Sequence, residues 1–366
     1  MSKKEQKDML ILGPNPFNEK INHSGGQLTA ITLLVNYLEQ KNISYDIVDI
    51  FRSSFPPPPL SDKLKVSFIK YREVKRILNK KSYKGALIFG THGLGYWEKL
   101  ILSLLINSHK IKTLFFVRSG HFYSAIERKN YKAPIKRYLM NRLDYIGYQG
   151  GKWEELYNKI GIDKSRLVKI LNWIDISDYK RSFTNKKVSF LYVGWMVKEK
   201  GVEELFEVIA NHRDLDEYEF TFVGGGTLLD ELKEKKEKQN LNNITFTGWL
   251  DSKDVAEYYH NTDALILPSH TEGFPNVILE ALNYRLPIIA TNVGGIPESV
   301  IDGYNGYILE PKDKNKLYSS IKSIGSSKEL KEKFSKNSEE ILIRNHTIEN
   351  NCKTLFDLFD IKIKKD

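Results

Sequence analysis

The chain has 366 residues, 41% of them hydrophobic and 28% charged, and it carries a formal net charge of +10. This length is enough for two hydrophobic cores, so we expect two domains. The single cysteine, Cys352, excludes an internal disulfide framework and a cysteine-based metal cage. We expect its thiol to be buried or half-buried.

The N-terminal sequence and the hydropathy predict a cytoplasmic protein. The first 13 residues are charged and then give only a short apolar run, which is shorter than the hydrophobic region of a signal peptide. No stretch approaches the roughly 18 consecutive apolar residues that span a bilayer. We therefore expect neither a signal peptide nor a transmembrane helix.

Strand and helix patterns alternate along the first half of the chain. The spacing of apolar residues places Leu64 and Phe68 on the apolar side of one helix and Ile101 on the core side of another. The predicted elements are strand Met9–Leu12, helix Gln27–Gln40, strand Tyr45–Ile50, helix Lys63–Lys84, strand Ala86–Phe89, helix Leu94–Ile106, strand Thr113–Val117 and strand Tyr145–Tyr148.

The second half of the chain continues this alternation. A short buried strand over 263–268 precedes a loop rich in glycine and proline, and a helix opens at Asn276. The polar stretch 177–187 predicts a linker between a first domain, 1–176, and a second domain, 188–344. A final helix is predicted from Asn345 to Phe359 by its apolar stripe. The alternation predicts an α/β fold with parallel, doubly wound sheets.

The charge is concentrated in one part of the chain. Residues 51–150 hold 20 Lys and Arg against 5 Asp and Glu, a net charge of +15, so the remainder has a net charge of −5. Cations and aromatic residues are interleaved there, as in segments that lie on an anionic membrane. An ordinary solvated lysine-rich surface would give the same composition. Nucleic acid is a third partner class, but no helix-turn-helix, zinc or RNA-binding signature accompanies the charge. The candidate contact residues are Lys70, Arg72, Arg76, Arg118, Arg128 and Lys132.

One segment, 269–280, combines a loop, a helix start and two carboxylates. Glu272 lies in the loop, and Glu280 follows eight positions later inside the helix. Free backbone N–H groups at a helix start favour an anion, so a nucleotide diphosphate is expected along Gly273, Phe274, Pro275, Asn276 and Val277. Glu272 would then face a sugar and Glu280 the ribose hydroxyls. The simpler interpretation is a loop charge and a solvated helix residue.

At these residues the chain resembles the donor site of retaining glycosyltransferases of family 4. The resemblance continues over Gly194, Lys200–Val202, 222–226, 245–250 and 287–306, about half the chain in all. It implies a GT-B fold, in which two Rossmann-like domains face a central cleft and the last helix, here 345–366, crosses back to the first domain. Catalytic roles are then implied for Glu272 and Lys200, and donor contacts for Gly194, Gly225 and His270.

One position departs from the family pattern. The family usually has an arginine after the glycine of its first C-domain strand, and this chain has Trp195 there. That arginine and the lysine corresponding to Lys200 neutralise the donor diphosphate together. Loss of one charge-assisted contact typically costs about 1.5–3 kcal/mol. Arg118, Lys198 or the amides of the pair Gly25 and Gly26 are candidates to compensate.

Two further candidates follow strands of the first domain. Gly25 and Gly26 lie between the first strand and a helix, where amides approach a phosphate, although a tight turn would need the same residues. His121 follows a later strand, where the family often places a histidine on the transferred sugar, and His92 is its rival. A lone histidine is often structural. No metal-ligand spacing is present, so we expect a metal-independent reaction without a cofactor.

The sequence thus predicts a retaining glycosyltransferase that moves a hexosyl or N-acetylhexosaminyl group from a nucleotide diphosphate sugar. The acceptor would be a glycan or lipid-linked glycan of a bacterial surface polysaccharide, at the inner face of the cell membrane. No residue is an evident nucleophile or base, which agrees with the front-face route assigned to the family. Two alternatives stay open: a GT-B sugar-nucleotide 2-epimerase, and a non-catalytic carbohydrate-binding or scaffold protein.

Overall fold

The computed structural model describes residues 4–18, 26–50, 59–118, 122, 133–183 and 187–363. These residues form two compact units. The first unit contains the residues up to Trp173 together with those from Ile348 onward, and the second runs from Ile174 to Thr347. The residues of the predicted linker that are described before position 184 belong to the second unit, because the side chain of Asn283 accepts a hydrogen bond from the Ser177 amide.

The first unit is built on a parallel sheet of six strands. Successive side chains of the central strand β1 point to opposite faces: Leu10 and Leu12 join one apolar cluster, and Met9 and Ile11 join the other. A strand buried on both faces in this way explains the continuous apolar run in its sequence. The strands, in their order across the sheet, are β2 (Tyr45–Asp49), β1 (Glu5–Gly13), β3 (Lys81–Gly90), β4 (Lys112–Val117), β5 (Tyr145–Tyr148) and β6 (Leu167–Lys169).

Helices cover both faces of this first sheet. The helices are α1 (Gly26–Gln40), α2 (Leu60–Lys80), α3 (Gly93–Ser108), α4 (Ala133–Met140), α5 (Gly151–Lys159) and, from the end of the chain, α12 (Ile348–Phe359). α12 packs on α1, where the rings of Tyr37 and Phe356 stack 6.3 Å apart. The ring of Phe359 lies against Gly85 of β3, where a Cβ atom would be 2.0 Å from the ring. Cys352 is buried in this layer, as predicted.

The second unit repeats the architecture with another six-stranded parallel sheet. Its strands, in spatial order, are β12 (Gly306–Leu309), β11 (Ile288–Thr291), β10 (Ala264–Leu267), β7 (Ser189–Val193), β8 (Glu219–Val223) and β9 (Ile244–Gly248). Its helices are α6 (Val202–Asn211), α7 (Leu229–Lys238), α8 (Ser252–Asn261), α9 (Asn276–Asn283), α10 (Lys314–Ser326) and α11 (Lys328–Asn345). The predicted α/β architecture with two Rossmann-like sheets is confirmed.

Two details of the predicted elements are wrong. The helix predicted over 63–84 ends at Lys80, and residues 81–84 open strand β3, because they continue the pairing of that strand with β1. Leu64 and Phe68 lie on the predicted apolar side of this helix and are 60% and 61% exposed. Ile101 of α3 is likewise exposed. The periodicity of both helices is helical, but their apolar sides are covered only in part: Val74, Leu78 and Leu100 are buried in the core, whereas Leu64, Phe68 and Ile101 are exposed.

Candidate functional site

The predicted donor residues of the second unit lie in the loops that follow its strands. Because all its strand pairs are parallel, the carboxyl ends of β7, β8, β10 and β11 share one edge of the sheet. Ligands of open α/β sheets bind at this edge. The loop 194–201 follows β7, and the loop 268–275 follows β10. These two strands are neighbours, so their loops meet.

Lys200 and Glu272 form an ion pair where these two loops meet. The ammonium Nζ of Lys200 donates to Oε1 of Glu272 at 2.6 Å, and the hydroxyl of Ser269 donates to the same oxygen at 2.7 Å. The Glu272 side chain is only 9% exposed, whereas that of Lys200 is 26% exposed. Protein groups therefore surround the Glu272 carboxylate, whereas the Lys200 side chain remains partly accessible to solvent.

The backbone fixes both members of this pair. The amide of His270 donates to the carbonyl of Glu199 at 2.9 Å, which ties the loop of Glu272 to the loop of Lys200. On the other side, the amide of Gly295 donates to the carbonyl of Gly273 at 2.8 Å. Gly294 has φ +56°, and a Cβ there would lie 2.3 Å from the Glu272 carbonyl oxygen. The glycine turn after β11 thus lets its backbone support the Glu272 loop.

Helix α9 begins directly after Glu272 and its loop. Pro275 occupies the N-cap position and offers no side-chain acceptor, and the first turn contains no acidic residue. Phe274 is buried and packs near His346, with ring centroids 5.6 Å apart, which anchors the chain entering the helix. The first-turn amides of a helix lack intrahelical partners and carry partial positive charge. This end of α9 is therefore suited to an anion, beside Lys200.

Glu280 lies further along α9 and is held by a tyrosine. The hydroxyl of Tyr259, on α8, donates to Oε2 of Glu280 at 2.8 Å. Burial raises the pKa of the Glu280 carboxyl, and the hydrogen bond from Tyr259 opposes this only in part. Burial also raises the pKa of Tyr259 well above its ordinary value, so this hydroxyl stays a donor. One carboxylate oxygen is thus oriented by the protein.

His270 points away from the ion pair. Its Nε2 lies 3.0 Å from Oε1 of Glu204, in the first turn of α6. Its backbone amide, described above, ties the two loops together. The contacts of His270 are thus those of a residue that positions the loop, and its predicted donor contact stays a prediction.

Trp195 stands exposed at the end of β7, beside a second tryptophan. The indoles of Trp195 and Trp249 meet edge to face, with ring centroids 4.8 Å apart, and each side chain is 59% exposed. The carbonyl of Trp195 accepts a hydrogen bond from the Tyr192 hydroxyl, and the amide of Met196 donates to the Gly225 carbonyl. Sequence reasoning did not single out Trp249, whose only signal is its place after the glycine that ends β9.

The predicted residues of the first unit that the structure describes lie on or directly beside three elements. Gly26 is the first residue of α1, and Arg118 follows β4 at the carboxyl edge of the first sheet. Lys70, Arg72 and Arg76 lie on α2. Four further predicted positions fall outside the described residues, namely Gly25, His121, Arg128 and Lys132.

Comparison with known proteins decides the class of the second unit. Residues 175–341 match the family glycosyl transferases group 1. The second unit is a group 1 glycosyltransferase domain. The candidate donor-site residues of the second unit described above lie inside the matched range, including Lys200, Glu272 and Glu280.

Two curated glycosyltransferases are similar in sequence to this chain. An uncharacterized glycosyltransferase of Methanocaldococcus jannaschii is 35% identical over 213 residues, 56% of this chain and 52% of the relative. A putative teichuronic acid biosynthesis glycosyltransferase, TuaC of Bacillus subtilis, is 34% identical over 131 residues, 36% of this chain and 31% of the relative. The chain thus matches about half the length of the first relative and a third of the second.

A solved structure matches nearly the whole chain. HepE of Anabaena in complex with UDP superimposes with a TM-score of 0.72 at 16% sequence identity, over 96% of this chain and 99% of that protein. At this identity the match shows the fold alone. It agrees with the predicted GT-B fold class, since the structural neighbours are GT-B glycosyltransferases.

Proposed function

We propose that the protein is a retaining glycosyltransferase that uses a nucleotide diphosphate sugar. One observation carries the proposal: the ion pair of Lys200 and Glu272 lies beside the uncapped start of α9 at the carboxyl edge of the group 1 domain. This arrangement combines positive potential for a diphosphate with a carboxylate that accepts hydrogen bonds from sugar hydroxyls.

The chemistry follows from the donors and acceptors of these groups. The Lys200 ammonium has three N–H donors, so it can bind Glu272 and a phosphate oxygen at the same time. Together with the α9 amides it would stabilise the charge that develops on the departing diphosphate. Glu272, which already accepts two hydrogen bonds at Oε1, would orient the sugar through its other oxygen. In a front-face route the leaving phosphate takes the acceptor proton, and the sugar keeps its anomeric configuration.

We propose a surface-polysaccharide or lipid-linked glycan as acceptor, and a hexosyl or N-acetylhexosaminyl group as the sugar transferred. The relationship to a putative teichuronic acid biosynthesis enzyme supports the first part. The reaction is proposed to be metal-independent. Transfer that survives EDTA would agree with this, and transfer restored only by added Mg²⁺ or Mn²⁺ would contradict it.

The acceptor side is proposed to lie on an anionic membrane. α2 packs against α3 and α3 against α4, and all three helices expose large apolar side chains, with exposed basic residues beside them on α2 and α4. Among the described residues, no helix is both long and apolar enough to cross a bilayer. Insertion of these side chains at the interface, with cations over anionic headgroups, fits this surface. The exposed apolar residues are Leu60, Leu64, Phe68, Ile69, Leu94, Ile101, Ile135 and Tyr138.

Introducing negative charge into this apolar surface should weaken membrane binding. The variant L64E/F68E is expected to bind vesicles of phosphatidylglycerol and phosphatidylcholine at least about tenfold more weakly, because it replaces two inserting side chains with anions. Flotation of the vesicles with bound protein measures this. The control is I343E, which changes an equally exposed apolar residue of the second unit. Equal binding by wild type and L64E/F68E would refute the membrane surface.

Thermal stabilisation by nucleotides tests the proposed function. UDP, GDP, ADP and dTDP are compared, since a ligand present at 100 Kd adds about 2.7 kcal/mol to the stability of the folded state. We expect one of them to stabilise the protein, and transfer from the matching nucleotide sugar to a glycan acceptor should follow. Absence of any shift would favour a non-catalytic protein, and epimerisation without an acceptor would favour the 2-epimerase.

The variant E280Q separates binding from folding. We expect the Kd of the stabilising nucleotide to rise about tenfold, because the ribose hydroxyls lose a charged acceptor. Burial raises the pKa of the Glu280 carboxyl in the folded state. The ionised carboxylate therefore destabilises the folded state at pH values above this raised pKa. This destabilisation is lost at pH values below the pKa that Glu280 has in the unfolded chain. E280Q should therefore melt at or above the wild-type temperature at pH 7, with the difference vanishing toward pH 4. An unchanged Kd would refute the ribose contact.

A further inference from the structure

Arg118 is a half-buried cation whose Nη1 lacks a hydrogen-bond partner. It directly follows strand β4, and its Nη1 is inaccessible to solvent and unpaired. Three aromatic rings surround the guanidinium: its Cζ lies 5.8 Å from the ring centroids of Phe89 and Phe116 and 6.0 Å from that of Trp173. These rings attract a cation, but they accept no conventional hydrogen bond. No carboxylate among the described residues pairs with Arg118.

Two other cations with little solvent exposure, Arg181 and Lys331, have partners within the chain. Arg181 donates to the backbone carbonyls of Tyr284 and Tyr259. Lys331 pairs with Asp263 at 3.1 Å. Arg118 differs, and burial alone lowers its pKa to about 10. Removing a guanidinium from water without giving it a hydrogen-bond partner costs free energy. Burying Arg118 therefore lowers the stability of the folded state.

The position of Arg118 is that of a ligand-binding residue. It stands at the carboxyl edge of the first sheet, beside the end of β3, which carries Phe89. The N-terminal turn of α1 lies at the same edge: the side-chain amide of Gln27 donates to the carbonyl of Gly90, and the indole N–H of Trp173 donates to the carbonyl of Ala30. The first turn of α1 contains no acidic residue. The Arg118 guanidinium and the start of α1 thus create a positive electrostatic potential at the carboxyl edge of the first sheet.

We propose that Arg118 binds a phosphate group of the acceptor. This inference rests on the proposed transferase function and names the acceptor class, a sugar or lipid that carries a phosphate near its reacting hydroxyl. The planar guanidinium fork matches two phosphate oxygens, and the aromatic rings hold the fork in place. The unpaired N–H would gain a partner only when the acceptor is bound. The protein would therefore bind an acceptor that carries a phosphate more tightly than the same compound without the phosphate.

Titration with small phosphates tests this assignment. Calorimetry compares sn-glycerol 3-phosphate with glycerol, with and without saturating UDP, so that phosphate binding at the start of α9 is accounted for. We expect glycerol phosphate to bind the wild type in the presence of UDP, glycerol not to bind, and R118Q to bind glycerol phosphate at least about tenfold more weakly. R118K should fall between the two. R142Q is the control, because Arg142 also stacks on a ring, that of Tyr138, but is exposed.

Melting temperatures separate a binding role from a structural one. Without phosphate, R118M should melt at or above the wild-type temperature, because it removes an unpaired buried charge. Marked destabilisation of R118M would instead show that the guanidinium supports the fold, which overturns the proposal. Equal binding of glycerol phosphate by wild type and R118Q would also overturn it, as would a loss of UDP affinity in R118Q with glycerol phosphate binding intact. Lack of binding of UDP, GDP, ADP and dTDP by the wild type would contradict only the proposed function, since the titration without a nucleotide still compares the variants.

Discussion

The variant K200M should lose glycosyl transfer by about 10²- to 10³-fold in kcat, the loss typical when one preorganised donor to a developing negative charge is removed. Lys200 is the side chain that supplies formal positive charge at the junction of the β7 and β10 loops, next to the start of α9. Methionine keeps the length and the apolar stem of the lysine. Steady-state kinetics with the nucleotide sugar identified by thermal stabilisation measures the loss.

The same substitution should also destabilise the protein. Glu272 is nearly buried, and K200M leaves its carboxylate without a counter-charge, at a cost of about 2 kcal/mol. The double variant K200M/E272Q should recover most of this stability, because no unpaired charge remains, while transfer stays lost. Denaturant unfolding of the two variants and of E272Q completes the thermodynamic cycle.

A matched surface pair serves as the control for K200M. Lys235 and Glu231 of α7 also meet at 2.6 Å, but both side chains are well exposed. K235M should change neither transfer nor stability measurably, because exposed ion pairs contribute little. If K200M retained wild-type kcat and KM, the assignment of the donor site to this ion pair would be wrong.

The variant W195R should bind the nucleoside diphosphate more tightly, by about 1.5–3 kcal/mol or roughly ten- to a hundredfold. It introduces the arginine that family 4 enzymes, which the chain resembles here, usually have after the glycine of this strand. Trp195 is 59% exposed, so the exchange removes little buried apolar surface. The indole of Trp249 remains as a face on which the new guanidinium can stack.

Two comparisons isolate the charge in W195R. W195L removes the indole without adding a cation, and it should give no gain in affinity. Uridine, which lacks phosphates, should bind wild type and W195R equally well, whereas UDP should favour W195R if uridine is the matching nucleoside. Tighter binding of uridine to W195R, or equal gains for W195L and W195R, would show that the indole itself obstructs the site.

Local sequence patterns were sufficient to predict much of the fold, including the strand, loop and helix over residues 263–280. The apolar run of β10 and the helix start at Asn276 are encoded by neighbouring residues, and both lie where predicted. Glu272 and Lys200 were each named from the sequence, but their pairing was not. They are 72 positions apart, and only the adjacency of β7 and β10 in the sheet brings them together.

The errors have a common physical cause. Helical periodicity shows that α2 has an apolar side, but it does not show what covers that side, and Leu64 and Phe68 remain exposed. Likewise, the polar residues 81–84 look helical in isolation and become a strand because β1 offers them backbone partners. The unpaired guanidinium of Arg118 is equally invisible in sequence, since absence of a partner is a property of the assembled sheet.

The placement of α12 means that the first unit is completed only after the second unit has been synthesised. A ribosome completes the continuous segment 174–347 before it makes α12, whose side chains Phe356 and Phe359 cover Tyr37 and Gly85 of the first unit. N-terminal domains generally fold first during synthesis. Here α1 covers part of one apolar face of the N-terminal sheet, and the rest of that face stays uncovered until residues 174–347 have been synthesised. The nascent first unit is thus the part of the protein that needs protection from aggregation.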